Sequence, residues 1–139
     1  MKFGSAAVWL ACVAGASAAH AQGFTTAAEV KPILQATKSG WVALRDYDGN
    51  DLLYFTALES WRCGLNEVRF AMNAPEATQV WEMEPCYYET SQPNAIKMED
   101  RLPYIVVPSG FVQSVVVTIT YDDGTSDTAE YERGQILMP

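Results

Sequence analysis

The chain has 139 residues, 17 acidic and 9 basic side chains, a formal charge of −8 and a single histidine. That length suits one domain with one ordinary hydrophobic core. The acidity opposes phosphate backbones and anionic membrane surfaces, and no basic stripe offsets it, so nucleic acid is not an expected partner.

The N-terminus reads as a signal peptide. Met1-Lys2 is a minimal positive region, Phe3 to about Ala19 is apolar and Ala-rich, and Ala19-His20-Ala21 fits the small-x-small cleavage rule. A retained membrane anchor is the competing reading, but Ala, Gly and Ser make the stretch only weakly apolar. Leu10-Ala11-Cys12 resembles a lipid-attachment site, with Trp9 poorly suited to its position and the apolar run continuing past the cysteine. Cleavage after Ala21 leaves a domain of residues 22–139 in the periplasm or outside the cell, and Lys2 departs with the signal. The mature chain then carries 17 acids against 8 bases, a charge of −9, and no histidine. Ser-His-Asp and Cys-His catalysis, His-ligated metals and an imidazole switch are thereby excluded.

Thr26-Ala27-Ala28-Glu29 is a capping-box pattern opening a helix with Val30, Ile33 and Leu34 on its apolar stripe and Gly40 as its stop. Pro32 requires that helix to be short or kinked. From Trp41 the period changes to two. Trp41–Tyr47 and Asp51–Leu58 form an expected hairpin about Asp48-Gly49. Val42, Leu44, Leu53 and Phe55 share one face; Trp41, Ala43, Leu52 and Tyr54 share the other. With both faces apolar the register stays open, and a central pair covered on both sides is expected.

Asn66–Asn73 and Thr78–Glu84 flank Ala74-Pro75. A hairpin about those two residues faces Val68 with Trp81, Phe70 with Gln79 and, at its open end, Cys63 with Cys86. An even pair of cysteines in an exported chain reads as a disulfide. It closes a loop whose chain-entropy contribution is roughly 3–4 kcal/mol. The same register opposes Glu67 and Glu82, with Arg69 close enough to offset the repulsion.

Pro93-Asn94 marks a turn, and Ala95–Arg101 is a candidate single helical turn. Leu102–Val107 and Phe111–Tyr121 read as a further hairpin through Pro108-Ser109-Gly110. In the last hairpin a three-residue Asp122-Asp123-Gly124 loop aligns Val117 with Ala129, Val115 with Tyr131, Thr118 with Thr128 and Val116 with Glu130. The expected fold is all-β: a single antiparallel sandwich or barrel of about seven strands, with one short N-terminal helix and one disulfide-stapled hairpin.

Three groups are candidates for function. Asp46, Asp48 and Asp51 resemble part of a calcium loop, but glycine stands at the fourth position and Ala57 at the twelfth, so a hairpin turn explains them as well. Glu82 and Glu84 on one strand face offer a carboxylate pair for glycoside hydrolysis. Trp61, Tyr87 and Tyr88 cluster beside the cysteines and offer an aromatic binding surface. No cofactor motif is present. The expected function is that of a non-enzymatic exported binding domain recognising a basic protein partner in the manner of an inhibitor. The alternatives are a carboxylate-based carbohydrate-active enzyme binding a polysaccharide and a calcium-stabilised envelope subunit.

Overall fold

The computed structural model describes residues 23–139 together with Gly4. Met1-Lys2, Cys12, His20 and the cleavage site after Ala21 lie outside the described residues. Helix α1 (Ala27–Ala36) forms where the capping box places it. Thr26 Oγ1 accepts from the Glu29 amide at 3.3 Å, and Val30 and Leu34 are buried. Asp122 holds the other side of the cap, accepting from the Ala27 amide at 2.7 Å. The helix is short, as Pro32 requires.

Among the described residues seven strands make two antiparallel sheets. β1 (Ala43–Tyr47) and β2 (Asn50–Tyr54) join with β5 (Tyr104–Pro108) in the order β1-β2-β5; β3 (Leu65–Met72), β4 (Gln79–Trp81), β6 (Ser114–Tyr121) and β7 (Ser126–Glu132) make the sheet β4-β3-β6-β7. Asp48 and Gly49 both sit at positive φ, the requirement of a two-residue type I′ turn, and they set Tyr47 opposite Asn50 and Leu44 opposite Leu53. That register turns Leu44, Leu53 and the β5 residue Ile105 to one side. Leu44 and Leu53 join Val68, Phe70, Val117 and Ile119 of the second sheet in one core, across which the Phe55 and Phe70 rings meet at 5.0 Å.

The β3–β4 register is the expected one, Val68 to Trp81 and Phe70 to Gln79, although the connection spans residues 73–78 and not Ala74-Pro75 alone. The β6–β7 register also agrees at all four pairs, with Gly124 at φ 84° in the three-residue loop. Cys63 and Cys86 are bonded, with Cα atoms 5.7 Å apart.

Five expectations are corrected. First, β5 and β6 are not a hairpin: β5 pairs with β2 and β6 with β3. The chain crosses between sheets at 109–113, where its amides find side-chain acceptors instead of a ladder. Val112 N–H donates to Asp51, and Gln113 and Ser114 N–H to Asn73 Oδ1. Second, β2 ends at Tyr54, and Thr56–Glu59 forms a helical turn, α2, that buries Leu58 and Glu59. Third, β4 stops at Trp81, so Glu82 and Glu84 are not on a strand face; the Glu84 amide donates to the Glu59 carboxylate at 3.1 Å. Fourth, the segment 95–101 is not helical, because the Lys97 and Met98 amides donate to the Glu84 carboxylate. Fifth, the first sheet is not covered on both sides, which locates the candidate site below.

A last short helix, α3 (Arg133–Ile136), carries Arg133 back to β2. The guanidinium grips the fully buried Asp51 with two hydrogen bonds, 2.6 and 3.0 Å. That bond, ahead of the opposing effect of burial, holds the Asp51 carboxyl down at about 2.

Candidate functional site

The disulfide end of the molecule is built around buried charge. Arg62, on the 3-10 turn Arg62–Gly64, is 1% exposed. A guanidinium has five N–H donors. Here they meet five backbone carbonyls, those of Glu59, Glu84, Pro85, Asn94 and Ala95, at 2.7–2.9 Å. Glu59, equally buried, accepts from Trp81 Nε1 at 2.9 Å, from the Glu84 amide and from Arg101 at 3.0 Å. Glu84 is 4% exposed and accepts from the Tyr87 hydroxyl and the amides of Lys97 and Met98. Burial alone would raise its carboxyl. The Tyr87 hydroxyl, the Lys97 amide, the Arg62 charge and the Met98 amide together outweigh that and hold it below the ordinary carboxylate value.

This arrangement assigns structural work to part of the expected surface. Glu84 is occupied by four hydrogen-bond contacts from three donor groups and is lowered in pKa, the opposite of what a general acid needs. Trp61 packs edge-on against Phe24 at 5.1 Å, and the Tyr87 ring lies under Lys97 Nζ at 4.0 Å. Tyr88, 66% exposed, and Glu82 line a groove of about 480 Å³ with Glu67 and Val80. Glu67 is itself paired with Arg69.

Asp46, Asp48 and Asp51 do not gather about a common point. Asp51 is committed to Arg133 and Val112, Asp46 accepts from Ser109 Oγ at 2.9 Å, and Asp48 occupies the turn. Among the described residues no group of three or more His, Cys, Asp or Glu is placed to hold a metal ion.

A second surface feature lies on the first sheet. Strand alternation puts Ala43, Arg45 and Tyr47 of β1, Leu52 and Tyr54 of β2, and Tyr104 and Val106 of β5 on the side of the first sheet opposite the core. Tyr47 is 54% and Val106 51% exposed, and Leu52 forms the floor between them. The Tyr54 and Tyr104 rings touch at 4.9 Å, and the Arg45 guanidinium lies 4.3 Å from the Tyr47 ring centre. A groove of about 620 Å³ adjoins this face, lined by Trp41, Ala43, Arg45, Tyr54, Met138 and Pro139. The outward face of the second sheet differs. Arg69, Thr118, Thr120, Ser126, Thr128 and Glu130 lie on it together with the buried Ala71 and Val116, and Val80 is its exposed apolar member.

Comparison with protein-family models, curated proteins and solved structures finds no match. The site is therefore defined by its own chemistry: three tyrosines, an arginine and aliphatic residues on one face of a three-stranded sheet. None of Arg45, Tyr47, Tyr104 or Val106 stands out in sequence. The usable signal was the apolar character of both faces of the first hairpin, since only one of those faces is taken by the core.

Proposed function

We propose that the protein is an exported binding module. In this reading its signal peptide is removed after Ala21, the two sheets pack as a sandwich, and the mature domain works in the periplasm or outside the cell. The outward face of β1-β2-β5 is its recognition surface, and its partner is a basic protein. The single observation that carries this reading is the contrast between the two outward faces. One is threonine-rich and charged, as a solvated sheet is. The other carries the exposed Tyr47 and Val106 and the half-buried Tyr54 and Tyr104 around Arg45, and tyrosine and arginine are residue types that concentrate binding energy in protein interfaces. Charge selects the class of partner. With 17 acids against 8 bases from residue 22 onward, a cationic partner is steered in and an anionic one is repelled. A small inhibitor of a cationic hydrolase is the concrete form. The glycosidase reading finds no support at Glu84, whose oxygens are already occupied.

Titrating the oxidised protein with cationic, neutral and anionic secreted hydrolases tests the proposal. Binding confined to cationic partners, weakened about tenfold or more by Tyr54→Ala or Tyr104→Ala and untouched by Tyr88→Ala, is the expected result. Sensitivity to Tyr88→Ala alone moves the surface to the disulfide end.

A further inference from the structure

Sheets of this kind have four edges, and three are protected. β1 is covered at Leu44, whose carbonyl accepts from the Met138 amide at 2.7 Å, and carries the charged Arg45 and Asp46. β4 has only three residues, and β7 carries Asp127, Glu130 and Glu132. Short strands, coverage and charge are the usual defences of an edge. β5 lacks these three, and its own protection is proline, with Pro103 just before it and Pro108 at its end. Its neighbourhood, Leu102-Pro103-Tyr104-Ile105-Val106-Val107-Pro108, is an uncharged stretch in a strongly acidic chain, and among the described residues nothing pairs with its outer side.

The direction of its backbone groups follows from the type I′ turn. Tyr47 and Asn50 flank the turn, so they are the first hydrogen-bonded pair, and Leu52 and Tyr54 also point toward β1. Asp51 and Leu53 therefore point toward β5 and engage Val107 and Ile105. The bonds Phe55 N–H to Pro103 O, 2.8 Å, and Ser109 N–H to Gly49 O, 3.1 Å, continue the same alternation. The N–H and C=O of Tyr104 and Val106 are left facing outward.

We infer that this edge pairs antiparallel with β5 of a second copy of the chain, about a two-fold axis at Ile105. In that register Tyr104 meets the partner's Val106, and Val106 meets the partner's Tyr104. All four outward N–H groups of the two central pairs find carbonyls, and each Tyr faces a β-branched residue. Centring on Val106 instead would set the Tyr104 carbonyl against Pro108, which has no N–H. Centring on Tyr104 would set Val106 against the partner's Leu102, which lies outside the strand. The two prolines limit the contact to one short ribbon. The product is a six-stranded sheet whose outward face carries two sets of Tyr47, Tyr54 and Tyr104.

The oxidised, exported protein is followed by sedimentation equilibrium from ~10 μM to ~1 mM, the range of weak complexes. A monomer–dimer equilibrium is expected, with concentration-dependent protection of the Tyr104 and Val106 amides from exchange. Val106→Pro, which removes an outward donor without touching the β2 ladder, raises the dissociation constant at least ~10-fold. Val106→Glu does the same if the proline variant fails to fold, and Val80→Glu on the other sheet changes nothing. Ile105→Cys gives a covalent dimer on oxidation and Val107→Cys does not, because only residue 105 faces its own copy. The inference is overturned by a wild type that stays monomeric across the range, by a dimer indifferent to Val106→Pro and Val106→Glu, or by a monomer whose Tyr104 and Val106 amides are already protected. None of these readouts involves a binding partner, so the result is independent of the proposed function.

Discussion

Replacing Arg62 by methionine removes the link that ties three chain segments together, 59–62, 84–85 and 94–95. The side chain is buried and donates to five backbone carbonyls, and methionine fills a similar volume while supplying no donor. It also removes the cation 3.8 Å from the buried Glu59 carboxylate, leaving Arg101 as that group's charged partner. Deleting one member of a buried ionic network costs about 3–5 kcal/mol, a large share of a domain's net ~5–15 kcal/mol. For a domain of this size the melting temperature should fall by roughly 10 °C or more. Urea and thermal unfolding of the oxidised protein measure it. Arg62→Lys should fall between wild type and Arg62→Met, since an ammonium has three donors and leaves at least two carbonyls unmatched. An Arg62→Met protein within about 1 kcal/mol of wild type would show that these carbonyls need no internal donor, and would refute the reasoning.

Other consequences follow from single contacts. Asp51 has its pKa lowered from 3.8 to about 2, so the stability it contributes is present above the unfolded value and is lost as pH falls through the folded one. Between pH 5 and pH 2 wild type should lose about 2 kcal/mol more than Asp51→Asn, and parallel pH–stability curves would contradict this. Gly64→Ala drives a methyl into Val30 Cγ2 and places it 2.9 Å from the Thr26 carbonyl, so it should destabilise by about 1–3 kcal/mol in chemical unfolding. Protein beginning at Gln22 should show no free thiol when denatured without reductant. Reduction should lower its stability by roughly 3 kcal/mol, less any native-state strain relieved.

What was legible in the sequence was local. The β6–β7 register followed from where Gly124 had to sit, and the disulfide from two cysteines equidistant from one turn. The hairpin expected between β5 and β6 does not form because strands adjacent in sequence here pair with β2 and β3. The crossing segment instead satisfies its amides with Asp51 and Asn73, residues 40 to 61 positions away. The buried hub at Arg62 was illegible for a related reason: its acceptors are backbone carbonyls, which carry no sequence signature. The aromatic sheet face was half legible. Both faces of the first hairpin read as apolar, but one of them leaves Tyr47, and Val106 of the neighbouring β5, exposed.

The central claim is that recognition occurs on the outward face of β1-β2-β5. Its most direct test is an amide NMR footprint of the protein bound to a cationic hydrolase selected by titration. The account predicts shifts concentrated at 43–54 and 104–108, with the face that carries Thr118 and Thr128 silent. A footprint centred on residues 82–88, with β1, β2 and β5 unchanged, would contradict it.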